Sequence, residues 1–189
     1  PQTAVVPDYT DVQAVTDPVT VAVTVDCADT VTKVSPYLFG DNANLWTGTM
    51  SDNTTLMKNM ANRRMGVLRG PGGSISDVFF WNRSTKPSDV PSALVTDPSN
   101  TTWPWYGQRA ESWTMHVDSL YSILSKTGVT GMITVNYGYA RYGTSDNPVA
   151  QAAHMAAEWV RYDNGRTKFW EIGNEVFGSW EAGYRIDRS

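Results

Sequence analysis

A short apolar segment that ends in polar or glycine-rich residues recurs four times in this chain, with helical stretches between the copies. That recurrence restricts the fold more than any other feature. Tyr37-Leu38-Phe39-Gly40 runs into Asp41-Asn42-Ala43-Asn44, and Leu56, Met57, Met60, Ala61 and Met65 follow at helical spacing up to Gly66. Val67-Leu68-Arg69 ends in Gly70-Pro71-Gly72-Gly73. After a long loop, Trp113, Val117, Leu120, Tyr121 and Leu124 mark a second helix stopped by Gly128. Met132-Ile133-Thr134-Val135 ends at Asn136-Tyr137-Gly138. Asn147 is placed to cap a third helix, with Pro148 at its first position, Val149, Ala153, Ala156 and Val160 as its apolar face, and Asn164-Gly165 as its stop. The fourth segment, Phe169-Trp170-Glu171-Ile172, halts at Gly173 and is followed by Asn174-Glu175.

Strands alternating with helices, without tight hairpin turns, predict parallel βαβ units with right-handed crossovers. The class is therefore α/β. About four βα units make either an open doubly wound sheet or the N-terminal half of a (β/α)8 barrel; a complete barrel takes roughly 250 residues, and the chain has 189. In both architectures function gathers at the C-terminal ends of the strands. Here those ends read Asp41-Asn42, Gly72-Gly73-Ser74, Asn136-Tyr137 and Asn174-Glu175, a concentration of polar chemistry on one rim. Upstream, residues 1–18 read as an irregular leader. Residues 19–36 predict a β-hairpin: Val19, Val21, Val23 and Val25 alternate with polar or small residues, Cys27-Ala28-Asp29 turns, and Thr30 to Val34 returns. The barrel-like part is thus 37–189.

With 41% hydrophobic and 18% charged residues the chain is rich enough in apolar surface for one sizeable core. A net charge of −4 argues against nucleic acid or an anionic membrane as the main partner, and no apolar run approaches the roughly 20 residues that span a bilayer. Residues 1–10 lack the basic start and apolar stretch of a signal peptide. Cys27 is the sole cysteine, which excludes an internal disulfide and any multi-cysteine metal site. The two histidines, His116 and His154, fall in helical patterns, so nucleophilic mechanisms that need a histidine base find no support. No metal or cofactor is indicated. Any catalysis falls to carboxylates.

Glu175 is the leading candidate, one residue beyond a buried strand on the functional rim, where partial burial tunes a carboxylic acid for proton donation. Cleaving a glycosidic bond needs one such acid and a second carboxylate as nucleophile or base. Asn174 offers amide donors and an acceptor to a sugar hydroxyl. Glu171 shares strand parity with Glu175 but sits lower, and a buried lone carboxylate needs a partner; Arg69 on the second strand is the expected one, in a structural ion pair. Asp41, Asp77, Asp146 and Glu181 read as solvated or capping loop acids. Eight Trp and nine Tyr suit stacking on sugar rings as well as core packing. Trp46, Trp81 and Trp180, with Asn44, Asn136 and Tyr137, are the candidate substrate contacts. The long loop 79–110, with Phe79, Phe80, Trp81, Trp103, Trp105 and Tyr106, reads as functional, about half its rings serving to pin it down.

These residues, in this order, resemble a known group. Trp170-Glu171-Ile172-Gly173-Asn174-Glu175 looks like the strand-four Gly-Asn-Glu signature of clan A glycoside hydrolases. Leu68-Arg69-Gly70-Pro71-Gly72-Gly73 is similar to the Arg-x-Pro-Gly-Gly segment of the family 51 α-L-arabinofuranosidases. Ser35-Pro36-Tyr37-Leu38-Phe39-Gly40 looks like the opening shared by families 51 and 44. Val135-Asn136-Tyr137-Gly138 and Trp159-Val160-Arg161-Tyr162-Asp163-Asn164 fit the same layout, so the resemblance covers about residues 19–184. It implies a retaining mechanism with Glu175 as acid/base, Asn174 against the sugar 2-hydroxyl, and a nucleophilic Glu on a seventh strand that lies outside these residues. Two departures point away from arabinofuranose. Ser74 stands where the arabinofuranosidases carry Asn, and Asp41-Asn42-Ala43-Asn44 replaces their His-x-x-Glu segment. With the Trp-rich loops, they favour an extended glycan, closer to the endoglucanase and xyloglucanase branch.

The expectation is a secreted glycoside hydrolase half-barrel acting on a plant cell-wall β-glycan or hemicellulose, inactive alone and completed by a C-terminal half or by self-association, because the edges of its first and fourth strands are otherwise exposed. An α-L-arabinofuranosidase and a non-catalytic carbohydrate-binding half-barrel are the alternatives. A nucleotide-binding sheet using Gly70 to Ser74 ranks low, since no Lys-Ser/Thr follows those glycines.

Overall fold

The computed structural model describes residues 10, 12, 21–91, 94–96, 101–103, 106–107 and 114–184. The chain divides into two units, Pro1–Val34 and Ser35–Ser189. In the first, the predicted hairpin is absent from the described residues. Residues 21–34 form a turn at Cys27–Asp29 and no strand, and Val21, Val23 and Val25 are 75–85% exposed. Alternation of Val with Thr encodes a half-buried strand only where a face exists to bury it, and the described residues of this unit supply none.

The second unit opens with a 3-10 turn at Pro36–Leu38, then β1 (Gly40–Asn42), 3-10 turns at Leu45–Thr47 and Met50–Asp52, α1 (Thr54–Asn62) and β2 (Val67–Gly70). A 3-10 segment at Gly73–Val78 leads into four short strands, β3 (Phe79–Phe80), β4 (Leu94–Thr96), β5 (Thr101–Trp103) and β6 (Tyr106–Gly107). There follow α2 (Val117–Thr127), β7 (Thr130–Val135), the single-turn α3 (Tyr139–Tyr142), α4 (Pro148–Asp163) and β8 (Phe169–Ile172). The main sheet has the order β1-β2-β7-β8 and every pairing in it is parallel. Three βα pairs and a fourth strand are present among the described residues; after β8, residues 173–184 form consecutive turns rather than a fourth helix.

Two local expectations shift. Tyr37 and Leu38 lie in the 3-10 turn, because Ser35 caps the Tyr37 N–H through its hydroxyl at 3.2 Å and Pro36 sets the first turn; the strand begins only at Gly40. On α4 the buried face runs through Ala152, Trp159 and Asp163, while Val149 and Val160 are exposed. That helix is apolar on several sides, so its largest side chain decides. Trp159, 1% exposed, packs against Phe79, Trp81 and Trp170 at centroid distances of 5.6, 5.9 and 6.2 Å and donates its indole N–H to the Tyr121 hydroxyl at 3.0 Å.

The stops and caps lie close to where the sequence places them. Gly128 (φ 70°) and Asn164 (φ 50°) close α2 and α4 in the left-handed conformation. Asn147 accepts the Ala150 N–H at 3.0 Å, so Asn147→Ala should lower the unfolding free energy by about 1 kcal/mol, read as a shift in urea midpoint at unchanged slope. Leu68, Ile133, Ile123, Leu120 and Met115 join Trp159 in the core, which leaves the C-terminal ends of the four strands as the polar rim.

Candidate functional site

Arg69 is the hub of that rim. It stands on β2 beside β7, which separates it from β8, so its side chain reaches across one intervening strand. Its Nε donates to Glu171 Oε2 at 2.6 Å and its Nη2 to Asn174 Oδ1 at 2.8 Å, with a longer contact of 3.4 Å from Nη1 to Asn42 Oδ1. Thr134, on the strand between, donates its hydroxyl to the same Glu171 oxygen at 2.5 Å. The two charged side chains are 20% and 31% exposed. Arg69→Ala leaves Glu171 with Thr134 alone and frees the Asn174 carbonyl. Removing one partner of a fully buried pair costs roughly 3–5 kcal/mol, and the partial exposure reduces that here to about 2–3 kcal/mol, measurable by denaturant unfolding.

Asn174 is 5% exposed and held on three sides. Its carbonyl accepts from Arg69, its Nδ2 donates to Glu181 Oε1 at 3.0 Å, and its backbone N–H points at both Asp77 carboxylate oxygens at 3.4 Å. Among the described residues its second amide hydrogen has no acceptor. Glu175 follows with φ 42°, a left-handed conformation that costs a residue with a side chain roughly 1–2 kcal/mol. Its carboxylate is exposed rather than half-buried, and Trp180 Nε1 donates to its Oε2 at 3.4 Å. Trp180 and Phe177 are 49% and 74% exposed and meet edge to face, centroids 6.4 Å apart. An acid thus stands beside an uncovered aromatic pair.

Two acids that the sequence assigns to solvent are instead fully buried. Asp77, in the 3-10 segment after β2, and Glu181, in the turns after β8, are each 0% exposed. Burial raises Asp77 to about 7; the backbone N–H groups of Asn174, Tyr137 and Gly138 oppose that rise, and the charge of Glu181 adds to it. Burial also raises Glu181, against hydrogen bonds from Ser74 and Asn174 and with help from the charge of Glu175. Ser74 donates to Glu181 Oε1 at 2.7 Å, while Glu181 Oε2 has no hydrogen-bond partner among the described residues. A local signal for Asp77 exists, because it lies among Ile75, Val78, Phe79 and Phe80; Glu181 is flanked only by small residues and Trp180.

The remaining candidates divide. Trp46 is 50% exposed and Asn44 half-buried beside it, its Oδ1 close against Gly72. Tyr137 is half-buried and packs against Gly173 and Gly183. Asn136 is 8% exposed and uses its amide internally, accepting from the Tyr139 N–H at 3.0 Å and donating to the Phe79 carbonyl at 3.2 Å. Trp81 is a core residue, 9% exposed, stacked on Trp159 and tilted against Tyr162, with its indole donating to the Met155 carbonyl at 3.2 Å. It is therefore not part of an open aromatic wall; the large Trp159 face beneath it accounts for that. Trp105 lies outside the described residues, and of Trp103 and Tyr106 only the backbone is described. Among the described residues no cluster of three His, Cys, Asp or Glu is placed to hold a metal, and no helix is long and apolar enough to cross a membrane.

The fold and rim define an α/β chain with a parallel sheet and a carboxylate–aromatic site at the strand ends. No protein-family model and no curated protein matches it. Solved structures do show likeness. An α-L-arabinofuranosidase from Thermotoga maritima is 18% identical over 78% of this chain and 34% of its own length, with a TM-score of 0.44. A family 51 α-L-arabinofuranosidase from Bifidobacterium longum is 21% identical over 80% of this chain and 32% of its own, at 0.43. The family 51 arabinofuranosidase from Xanthomonas axonopodis pv. citri is 18% identical over 82% and 35%, at 0.44. The chain spans about a third of the length of these proteins.

Proposed function

We propose that this chain carries the acid/base part of a retaining O-glycoside hydrolase site, with Glu175 as the proton donor to the leaving oxygen and later the base toward water. The supporting observation is the tip of β8, where an exposed glutamate accepts from Trp180 beside Phe177 and follows an asparagine immobilised by Arg69, Glu181 and Asp77. A sugar ring laid on those aromatics presents its glycosidic oxygen to Glu175, and the remaining Asn174 N–H and the Tyr137 side chain border it. The substrate class is a plant cell-wall β-glycan or hemicellulose, met outside the cell. The second carboxylate, the nucleophile, comes from a segment that completes the barrel or from a second copy of the chain; the open edge at β8, with Ile172 72% exposed, gives such a segment a place to add.

One observation favours a non-catalytic carbohydrate-binding role: the acids around Glu175 are already engaged, Glu171 by Arg69, Glu181 by Ser74 and Asn174, Asp77 by backbone N–H groups. Titration with oligosaccharides of xylan, β-glucan and arabinan, followed by tryptophan fluorescence, separates the readings when paired with an aryl-glycoside assay. The expected result is binding of one class, weakened at least about tenfold by Trp180→Ala, with turnover only when the segment or second copy that supplies the nucleophile is present, and then only with Glu175 intact. Arabinan preference would assign an arabinofuranosidase. Binding insensitive to Glu175→Gln, with no turnover even when the barrel is completed, would make the chain a binding module, and no binding across the panel would defeat both.

A further inference from the structure

Two buried carboxyl groups beneath the β8 tip, Asp77 and Glu181, have no part in the proposed chemistry. We infer that Asp77 and Glu181 are positioning residues for Glu175, acting through Asn174, with Asp77 required as a double acceptor and Glu181 as a single one. The inference rests on reading Glu175 as the acid/base.

Three loops meet at Asp77. Its carboxylate accepts the Asn174 N–H from the β8 tip at 3.4 Å to each oxygen, and the Tyr137 and Gly138 N–H groups of the β7 tip favour its charged form. Two glycines allow this approach. A Cβ at Gly173 would lie 3.2 Å from Asp77 Oδ1, and one at Gly183 would lie 3.0 Å from Oδ2. Gly173 also has φ 74°, so a side chain there is disfavoured twice over. The Asn174 N–H is shared between both carboxylate oxygens, so an amide in place of this carboxyl would turn an N–H toward a backbone N–H.

Glu181 works differently. Its Oε1 takes both Ser74 Oγ and Asn174 Nδ2, joining the loop after β2 to the tip of β8, while Oε2 is buried without a partner among the described residues. A glutamine retains the oxygen that matters and places its NH2 where nothing now bonds. Arg141 Nη1 fixes the backbone of the same turn through the Glu181 and Ala182 carbonyls at 3.3 and 3.4 Å. Since Glu175 holds a left-handed backbone immediately after Asn174, its conformation depends on Asn174 being held. The hydrogen bond from Gly178 N–H to Glu175 O at 2.7 Å closes the turn that results.

Amide hydrogen exchange on the intact chain tests this without substrate. The reporters are the Asn174 and Gly178 amides, with the Ile133 and Val135 amides of β7 as the control for global opening. Glu181→Ala and Asp77→Asn should each lower protection at the reporters by about tenfold or more, the loss of roughly one hydrogen bond, with the control amides unchanged. Glu181→Gln should restore protection to within a few-fold of the wild type. Equal loss in Glu181→Gln and Glu181→Ala, or full protection in Glu181→Ala, would overturn the inference; should Asp77→Asn fail to fold, the Glu181 pair still decides. Because no sugar is present, failure of the clamp is distinct from failure of the glycosidase reading.

Discussion

In the barrel completed by the segment that supplies the nucleophile, the proposed role of Glu175 means that Glu175→Gln should reduce hydrolysis of a natural glycoside by roughly 10²–10⁴-fold, the usual value of a positioned general acid. An alkoxide is a poor leaving group and needs that proton as the bond breaks. An aryl glycoside with an acidic phenol does not, so its first step should survive far better, and the loss should shift to the second step, where Glu175 acts as base toward water. The comparison of kcat/KM for the two substrates in wild type and variant is the measurement. Equal losses on both would remove Glu175 from proton transfer. The variant leaves the backbone turn and the Trp180 contact nearly isosteric, so the difference reports chemistry rather than folding.

The second large effect is on stability against pH. The native fold raises Asp77 from 3.8 to about 7, so the folded chain binds this proton more tightly than the unfolded chain does. Stability from this group is therefore greatest below about pH 4, falls as pH rises through the window from about 4 to 7, and is flat above it. The full difference is at most roughly 4 kcal/mol. Glu181 is raised as well and acts in the same sense. Urea unfolding from pH 4 to 8 should show a declining free energy in the wild type, a shallower decline in Asp77→Asn, and the flattest profile when Glu181→Gln is added. Identical slopes in all three would show that the two carboxyls are not the titrating groups.

The parallel sheet was legible because three of its strands are apolar runs bounded by glycine or asparagine, and because Gly128 and the Asn147-Pro148 and Asn164-Gly165 pairs punctuate the helices locally. Local information failed where a distant surface decides. Val21, Val23 and Val25 alternate correctly but are exposed among the described residues, and α4 carries apolar residues on several sides until Trp159 finds Phe79 and Tyr121. The Arg69–Glu171 pair could be anticipated from strand parity and the price of a lone buried charge. Trp81 could not be told from a sugar-stacking ring, since both are aromatic residues in a long loop. Asp77 and Glu181 were misplaced for a related reason: burial of a loop acid is set by three converging strand ends that are 30 or more positions apart in sequence.

The left-handed backbone of Glu175 has a bearing on how this chain would drift. Position 175 is one where glycine would fold with less strain. A library propagated under heat or denaturant alone would accumulate glycine there, whereas one propagated for turnover would retain glutamate. The residue proposed to do the chemistry is thus one whose backbone alone would favour glycine, and the two selections would part company at this codon.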